Sequence, residues 1–188
     1  MKTMTGKFSH MRTSLEGLRV ISRHPIGDSR GFLERVFCST DLAGWDGRPI
    51  AQINRTRTEA AGTLRGLHFQ SPPVAEAKYL TCLSGAVFDV AVDVRQGSKT
   101  FGKHFSIKLS ADAHNALIIP EGFAHGFQTL SDNVEMLYIH SQAFSPDFEC
   151  GINPMDPALE IKWPLAVKLQ SQRDIELPDL IKIQGIFK

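Results

Sequence analysis

Turn-forming residues punctuate this chain about every 8–14 residues, a rhythm that leaves room for short strands and little else. The clearest breaks are Gly27–Asp28, Pro72–Pro73, Ser84–Gly85, Gln96–Gly97–Ser98, Pro120–Glu121–Gly122 and Ser131–Asp132–Asn133. The runs between them favour β-branched and aromatic residues and predict strands over Leu18–Pro25, Gly31–Cys38, Ile50–Thr58, Gly62–Gln70 and Lys78–Leu83. Further strands are expected over Gly85–Val94, Gly102–Leu109, Asn115–Ile119, Gly126–Leu130 and Val134–His140. Only Ser39–Ala43 and the region after Arg173 invite short helices. No low-complexity segment, charge block or repeat period competes with this pattern. The expected class is all-β, a sandwich or a barrel.

Length and charge narrow the function. A chain of 188 residues suits one well-buried core, so a single domain is expected, with residues 1–15 as an extension and 165–188 as a segment packed on the barrel. The net charge of +1 gives no global field to recruit nucleic acid or an acidic membrane surface, so anion affinity must come from a local cluster. No apolar run approaches the roughly 18 residues of a membrane span. The N-terminus MKTMTGKFSHMRTSLEGL has no apolar core of a secretory leader. Cys38, Cys82 and Cys150 are odd in number and lack metal-type spacing, which favours free thiols in a reducing compartment, the cytoplasm.

Two stretches put charge where a barrel wants apolar residues. In GAVFDVAVDV, residues 85–94, one face carries Phe88, Val90, Val92 and Val94, and the other Val87, Asp89, Ala91 and Asp93. On an outer face the two acids would be solvated; in a lumen they need cationic partners, for which Arg55, Arg57, Arg65, Lys78 and His125 are available. In TLRGLHFQSPPVAEAKYL, residues 63–80, strict alternation sets Arg65 and His68 on opposite faces. Bringing both to one site requires a bulge, and Gly66 is the natural place for it. Taken singly, His68 reads as a satisfied strand histidine and Lys78 as a solvated edge lysine.

IIPEGFAHGF, residues 118–127, is sharper, because its Pro-x-Gly-x-x-His spacing resembles the signature of cupin barrels, in which the histidine (here His125) lines the barrel mouth. Metal-binding cupins also need an upstream His-x-His. Here Leu67–His68–Phe69 offers one histidine, so no metal site is expected. SQRDIELPDL, residues 171–180, sets Arg173 beside Asp174, either as a solvated pair or with Asp174 orienting a histidine.

Together DSRGFLE (28–34), QINRTRT (52–58), LRGLHFQ (64–70), AKYLTCLSGAVFDVAVDVRQGSKTFGK (77–103), PEGFAHGF (120–127) and DPALEIKWPL (156–165) resemble the dTDP-4-dehydrorhamnose 3,5-epimerase family. The resemblance implies a cupin-type double-stranded β-helix, a jelly-roll barrel with short peripheral helices. It also implies a nucleoside-diphosphate 4-keto-6-deoxyhexose as substrate, with no metal or redox cofactor, since the substrate's ketone is the electron sink. By the same resemblance His68 is the base, Asp174 holds its imidazole, Lys78 meets the C4 oxygen and Tyr138 returns a proton from the opposite face. Arg30 and Arg173 match diphosphate contacts, Phe32 flanks the base, and Glu34, Gln52, Asn54, Arg65, His125 and Glu149 match other substrate contacts. Asp89 is added as a lumen-facing partner for His125 or His68.

The chain departs from the family pattern at Ile53, Arg55, Arg57, Phe144 and Cys150, all expected near the sugar or nucleotide pocket. Three readings therefore stay open: a 3,5-epimerase, an enzyme acting at C3 or C5 alone on a dTDP-, CDP- or GDP-linked sugar, and an inactive nucleotide-sugar-binding cupin. The family pairing implies a homodimer with exchanged N-terminal strands, which the apolar Phe32, Leu33, Val36 and Phe37 would suit.

Overall fold

In the computed structural model, which describes residues 2–187, strands dominate. In chain order they are β1 (Lys2–Thr5), β2 (Phe8–Arg12), β3 (Arg19–Arg23), β4 (Ile26–Asp28), β5 (Gly31–Leu33), β6 (Gln52–Thr58), β7 (Leu64–Gln70), β8 (Lys78–Ser84) and β9 (Ala86–Asp93). Then follow β10 (His104–Ser110), β11 (Asn115–Ile119), β12 (Phe123–Thr129), β13 (Val134–His140) and β14 (Glu149–Gly151). A single turn of helix, α1 (Gln172–Ile175), lies near the C-terminus. A seven-stranded sheet runs β1-β2-β3-β11-β8-β13-β6 and faces a five-stranded sheet, β10-β9-β12-β7-β14. From β6 to β14 the chain crosses between the sheets at every step except the β9–β10 hairpin, and the ladders among the described residues are antiparallel, which is the jelly-roll arrangement.

Three apolar clusters hold these layers. Between the sheets lie Leu80, Cys82, Val87, Ala91, Leu117, Phe123, Phe127, Val134 and Met136. Outside the five-stranded sheet, Phe88, Val90, Val92 and Val94 meet Leu159, Trp163, Leu180, Ile183 and Phe187 of the C-terminal segment. Outside the seven-stranded sheet, Phe8, Ile21, Tyr79 and Ile118 are covered by Phe37, Leu42 and Trp45. The alternation of β9 is thus buried on both faces: its valine face turns to the C-terminal segment, and Val87, Asp89 and Ala91 turn to the lumen.

The expected elements hold for most of the chain; the short strands β4 and β14 add to them, and the structure departs from them in the N-terminal half. Residues 8–12 form a hairpin partner that extends the sheet through β3, so the N-terminal extension is part of the sheet edge. The strand expected over Gly31–Cys38 stops at Leu33, because the chain then leaves to seat Val36 and Phe37 over the sheet. Ser39–Ala43 forms turns instead of a helix; Leu42 N–H and Asp41 N–H both reach Cys38 O and the path bends to bury Leu42. No helix among the described residues is long and apolar enough to cross a membrane.

Candidate active site

The lumen changes character along its axis, and the strand registers show how. At one level Gln52 of β6 pairs with His140 of β13, which pairs with Lys78 of β8. Two residues along, Asn54, Tyr138 and Leu80 share a level, and two further along Thr56, Met136 and Cys82 do. Side chains two apart on a strand share a face, so these levels form a polar mouth above an apolar floor. The mouth opens into a cavity of about 900 Å³.

His68 and Arg65 both line this cavity. Against β12, His68 lies opposite His125 while Arg65 lies opposite Phe127, so three steps on β7 match two on β12. The extra residue is the expected bulge at Gly66, which has φ +109° and a cis peptide to Leu67. Downstream of it Leu67 and Phe69 turn to the outer cluster, and His68 turns inward. The bulge also frees the Gly66 N–H, which donates to Asp174 Oδ2 at 3.0 Å. A Cβ at Gly66 would sit 2.7 Å from both Gly126 Cα and His125 O, backbone atoms that cannot step aside. Gly66→Ala is therefore expected to cost about 2–4 kcal/mol from overpacking and positive φ together, a Tm drop of ~5–15 °C by differential scanning calorimetry.

Asp174 sits in α1, whose cap Ser171 accepts from the Asp174 N–H at 3.1 Å. Its other carboxylate oxygen, Oδ1, accepts from His68 Nε2 at 2.8 Å. Burial pushes the carboxyl upward, but the His68 and Gly66 donors outweigh it and hold the group below the ordinary aspartate value. An ionised carboxylate only accepts, so His68 Nε2 carries a proton, and the neutral imidazole then has its lone pair on Nδ1.

Tyr138 faces the same cavity from the opposing sheet. Burial pushes its phenol well above the usual value, and Thr56 and Arg65 offset this only in part. Lys78 Nζ lies 3.1 Å from Glu76 Oε1 and 3.4 Å from His68 O. His125 also lines the cavity, and its Nε2 donates to Asp89 Oδ2 at 2.9 Å. Asp89 is fully buried behind it, the partner expected from β9. Asp93 does not line the cavity: Arg95, Ser98 and Thr100 occupy its oxygens.

Gln52, Asn54, Glu149 and Arg173 line the cavity as well. Gln52 Oε1 accepts from the Phe144 N–H at 2.9 Å, and Arg173 pairs with Glu149 at 2.6 Å. Arg30, Phe32 and Glu34 are not brought to the cavity within the chain. Arg30 stands in the β4–β5 hairpin with its side chain 87% exposed, paired to Asp28; Phe32 is 65% exposed. The Glu34 carboxylate is taken up by Arg23 and His114. Of the departures expected near the pocket, only Phe144 lines it. Ile53 is exposed, while Arg55 reaches Glu135 and Arg57 reaches Asn133. Alternation along β6 puts these three on the face opposite Gln52, Asn54 and Thr56. Cys150 packs into the outer cluster.

Glu76 and His140, which the sequence reading does not single out, also line the cavity. The period of β13 already placed His140 on the face of Tyr138, a signal present in VEMLYIH; Glu76 lies in a loop, where no period helps. Among the described residues, no three His, Cys, Asp or Glu side chains group so as to hold a metal ion.

The family model described as dTDP-4-dehydrorhamnose 3,5-epimerase matches residues 12–182. The chain belongs to the dTDP-4-dehydrorhamnose 3,5-epimerase family. Its relatives include the dTDP-4-dehydrorhamnose 3,5-epimerase of Escherichia coli K12, 38% identical over 94% of this chain and 98% of the relative. The dTDP-4-dehydrorhamnose 3-epimerase of Streptomyces niveus is also 38% identical, over 85% of this chain and 78% of the relative. Among solved structures, the 3,5-epimerase of Legionella pneumophila in complex with dTDP-4-keto-L-rhamnose aligns with a TM-score of 0.88 at 34% identity. It covers 96% of this chain and 99% of that one.

Proposed function

We propose that this epimerase inverts C3, C5 or both in a dTDP-linked 4-keto-6-deoxyhexose. The observation that carries the reading is His68 of one sheet, held by Asp174 of α1, facing Tyr138 of the other sheet across one cavity. The C4 ketone acidifies the hydrogens on C3 and C5. His68 Nδ1 takes one of them, and Asp174 stabilises the imidazolium that forms. The electron pair moves into an enolate whose oxygen meets the Lys78 ammonium. The Tyr138 O–H then gives its proton to the same carbon from the opposite face, and solvent exchange resets both groups. Inversion needs two groups on opposite sides of the ring, which two opposed sheets supply. Arg173, at the rim with its side chain 54% exposed, suits the diphosphate.

The Streptomyces niveus 3-epimerase and the Escherichia coli 3,5-epimerase match at the same 38% identity, so identity does not choose between one carbon and two. Incubation with the dTDP-4-keto-6-deoxyglucose substrate in D₂O, followed by NMR, does. Deuterium at C3 and C5 is the double epimerase, deuterium at one carbon the restricted one, and no exchange with any nucleotide keto sugar overturns the reading in favour of a binder. We place the reaction in the cytoplasm, where the three free cysteines would stay reduced.

The working unit in this proposal is a homodimer with exchanged N-terminal strands. The β4–β5 hairpin belongs to neither main sheet and exposes Ile26, Phe32 and Leu33, apolar area that a second copy would cover. Through it Arg30 and Phe32 would reach the partner's pocket. A monomer mass by light scattering at micromolar concentration would sink this.

A further inference from the structure

Lys78 sits in an arrangement that the reaction above does not explain. Its ammonium has three N–H donors. One reaches Glu76 Oε1 at 3.1 Å and a second leans on the backbone oxygen of His68 at 3.4 Å. The third remains for the cavity, which Lys78 lines. The lysine is thereby referenced to the residue that carries the base.

Glu76 is itself held. Its other oxygen, Oε2, accepts from His140 Nδ1 at 2.7 Å, and its side chain is 8% exposed. Burial alone would push this carboxyl upward; His140 and Lys78 together reverse that and keep it below the ordinary glutamate value. His140 is fixed in turn. Its ring stacks at 24° on Tyr138 with centroids 6.1 Å apart, and its Nε2 faces Asn54 Nδ2 at 3.5 Å. The loop bearing Glu76 is clasped to the end of β13: Ser141 Oγ accepts from the Ala77 N–H at 2.8 Å, and Ser141 N–H donates to Ala77 O at 3.0 Å. His140 and Lys78 are opposite each other in the ladder.

A carboxylate this close to a catalytic cation has a cost. It offsets part of the positive field that Lys78 presents to an enolate oxygen. A surface ion pair would contribute little to stability. This one is almost closed to solvent, and each member is hydrogen-bonded to something else as well. Its geometric effect is to turn a flexible point charge into a donor of fixed direction.

We infer that Glu76 and His140 are a positioning pair for Lys78, which aims one ammonium N–H at the oxygen that becomes negative during epimerisation. This rests on the epimerase reading above. His140, through its stacking on Tyr138, ties the position of the cation to that of the proton donor.

The test is a double-mutant cycle read as kcat and KM separately. Glu76→Gln keeps the shape and one acceptor but loses the charge; kcat is expected to fall about 10- to 100-fold, with KM within about twofold. In a Lys78→Met background the same change is expected to have no further effect beyond about twofold, because Glu76 acts only through the lysine. His140→Ala is expected to reproduce the kcat loss, and His140→Gln, which retains a donor for Glu76, to recover at least half of it on a logarithmic scale. This histidine arm stands if Glu76→Gln fails to fold. Glu76→Gln or His140→Ala with kcat near the parent, or losses that multiply fully with Lys78→Met, would overturn the pair. Turnover by the parent that ignores these substitutions sinks the positioning pair alone. Absence of turnover by the parent sinks the epimerase reading, and the pair with it.

Discussion

Replacing His68 with alanine is expected to lower both hydrogen exchange and inversion by about 10²–10⁴-fold, the usual contribution of a positioned base. Deuterium wash-in at C3 and C5, followed by NMR, measures it directly. Affinity for dTDP, measured by calorimetry, is expected to stay largely unchanged, because the nucleotide does not need the imidazole. Exchange at the parent rate would show that the base lies elsewhere. Asp174→Asn tests the same dyad from behind. An amide can donate to His68 Nε2 and so favour the tautomer with the proton on Nδ1, the nitrogen that must be free. The dyad also carries a pH signature. Asp174 is held below its ordinary value when folded, so its contribution to stability is complete above the unfolded aspartate value of about 3.9. That contribution is lost as pH falls through the depressed folded value. Chemical denaturation of Asp174→Asn across the acid range is expected to lack this limb.

Much of this dyad is legible in the sequence. The run RGLHFQ put Arg65 and His68 on opposite faces, and the conflict itself pointed to a bulge at Gly66. A register slip of one residue on β7 resolves it, and Asp174 accepts the hydrogen bond the slip sets free. A sequence can state that two residues need one cavity; it does not state which distant carboxylate will satisfy a backbone N–H. The alternation of β9 likewise put Asp89 inward, and His125 is its partner. Asp93, on the same face by parity, instead serves a turn, because the strand ends there and Arg95, Ser98 and Thr100 fold back on it.

Loops and edges were less legible, for physical reasons. Glu76 has no periodicity to place it, and its burial depends on the clasp between Ala77 and Ser141, residues far apart in sequence. Arg55 and Arg57 are expected near the pocket as departures from the family pattern. Period two sends them to the other face, where Glu135 and Asn133 receive them. The Ser39–Ala43 stretch opens with Ser-Thr-Asp, residues that suit a helix cap better than a helix interior, and burying Leu42 and Trp45 over the outer cluster decides its path. The β1–β2 hairpin pairs with β3 through a pattern too polar to stand out.

Tyr138→Phe is expected to separate two rates that the parent enzyme couples. The substitution keeps the ring that packs among Leu80, Met136 and His125 and removes only the proton donor, so the fold and dTDP binding should hold. His68 can still take a hydrogen from the face it occupies and form the enolate. With the opposing donor gone, the enolate is reprotonated from the His68 side, with configuration retained. Solvent deuterium exchanged onto His68 then enters the substrate without inversion. Wash-in is expected to stay within about tenfold of the parent, while formation of the inverted sugar falls about 10²–10⁴-fold. The two rates are read in one tube, from deuterium content and from the coupling constants of the ring protons. The phenol, raised by burial, is protonated across the working pH range, so this split should not depend on pH through the tyrosine itself. Inversion that survives the substitution would mean that the second proton comes from another group or from water. Wash-in that collapses in step with inversion would mean that Tyr138 acts before the enolate forms, and the assignment of faces to the two sheets would have to be exchanged.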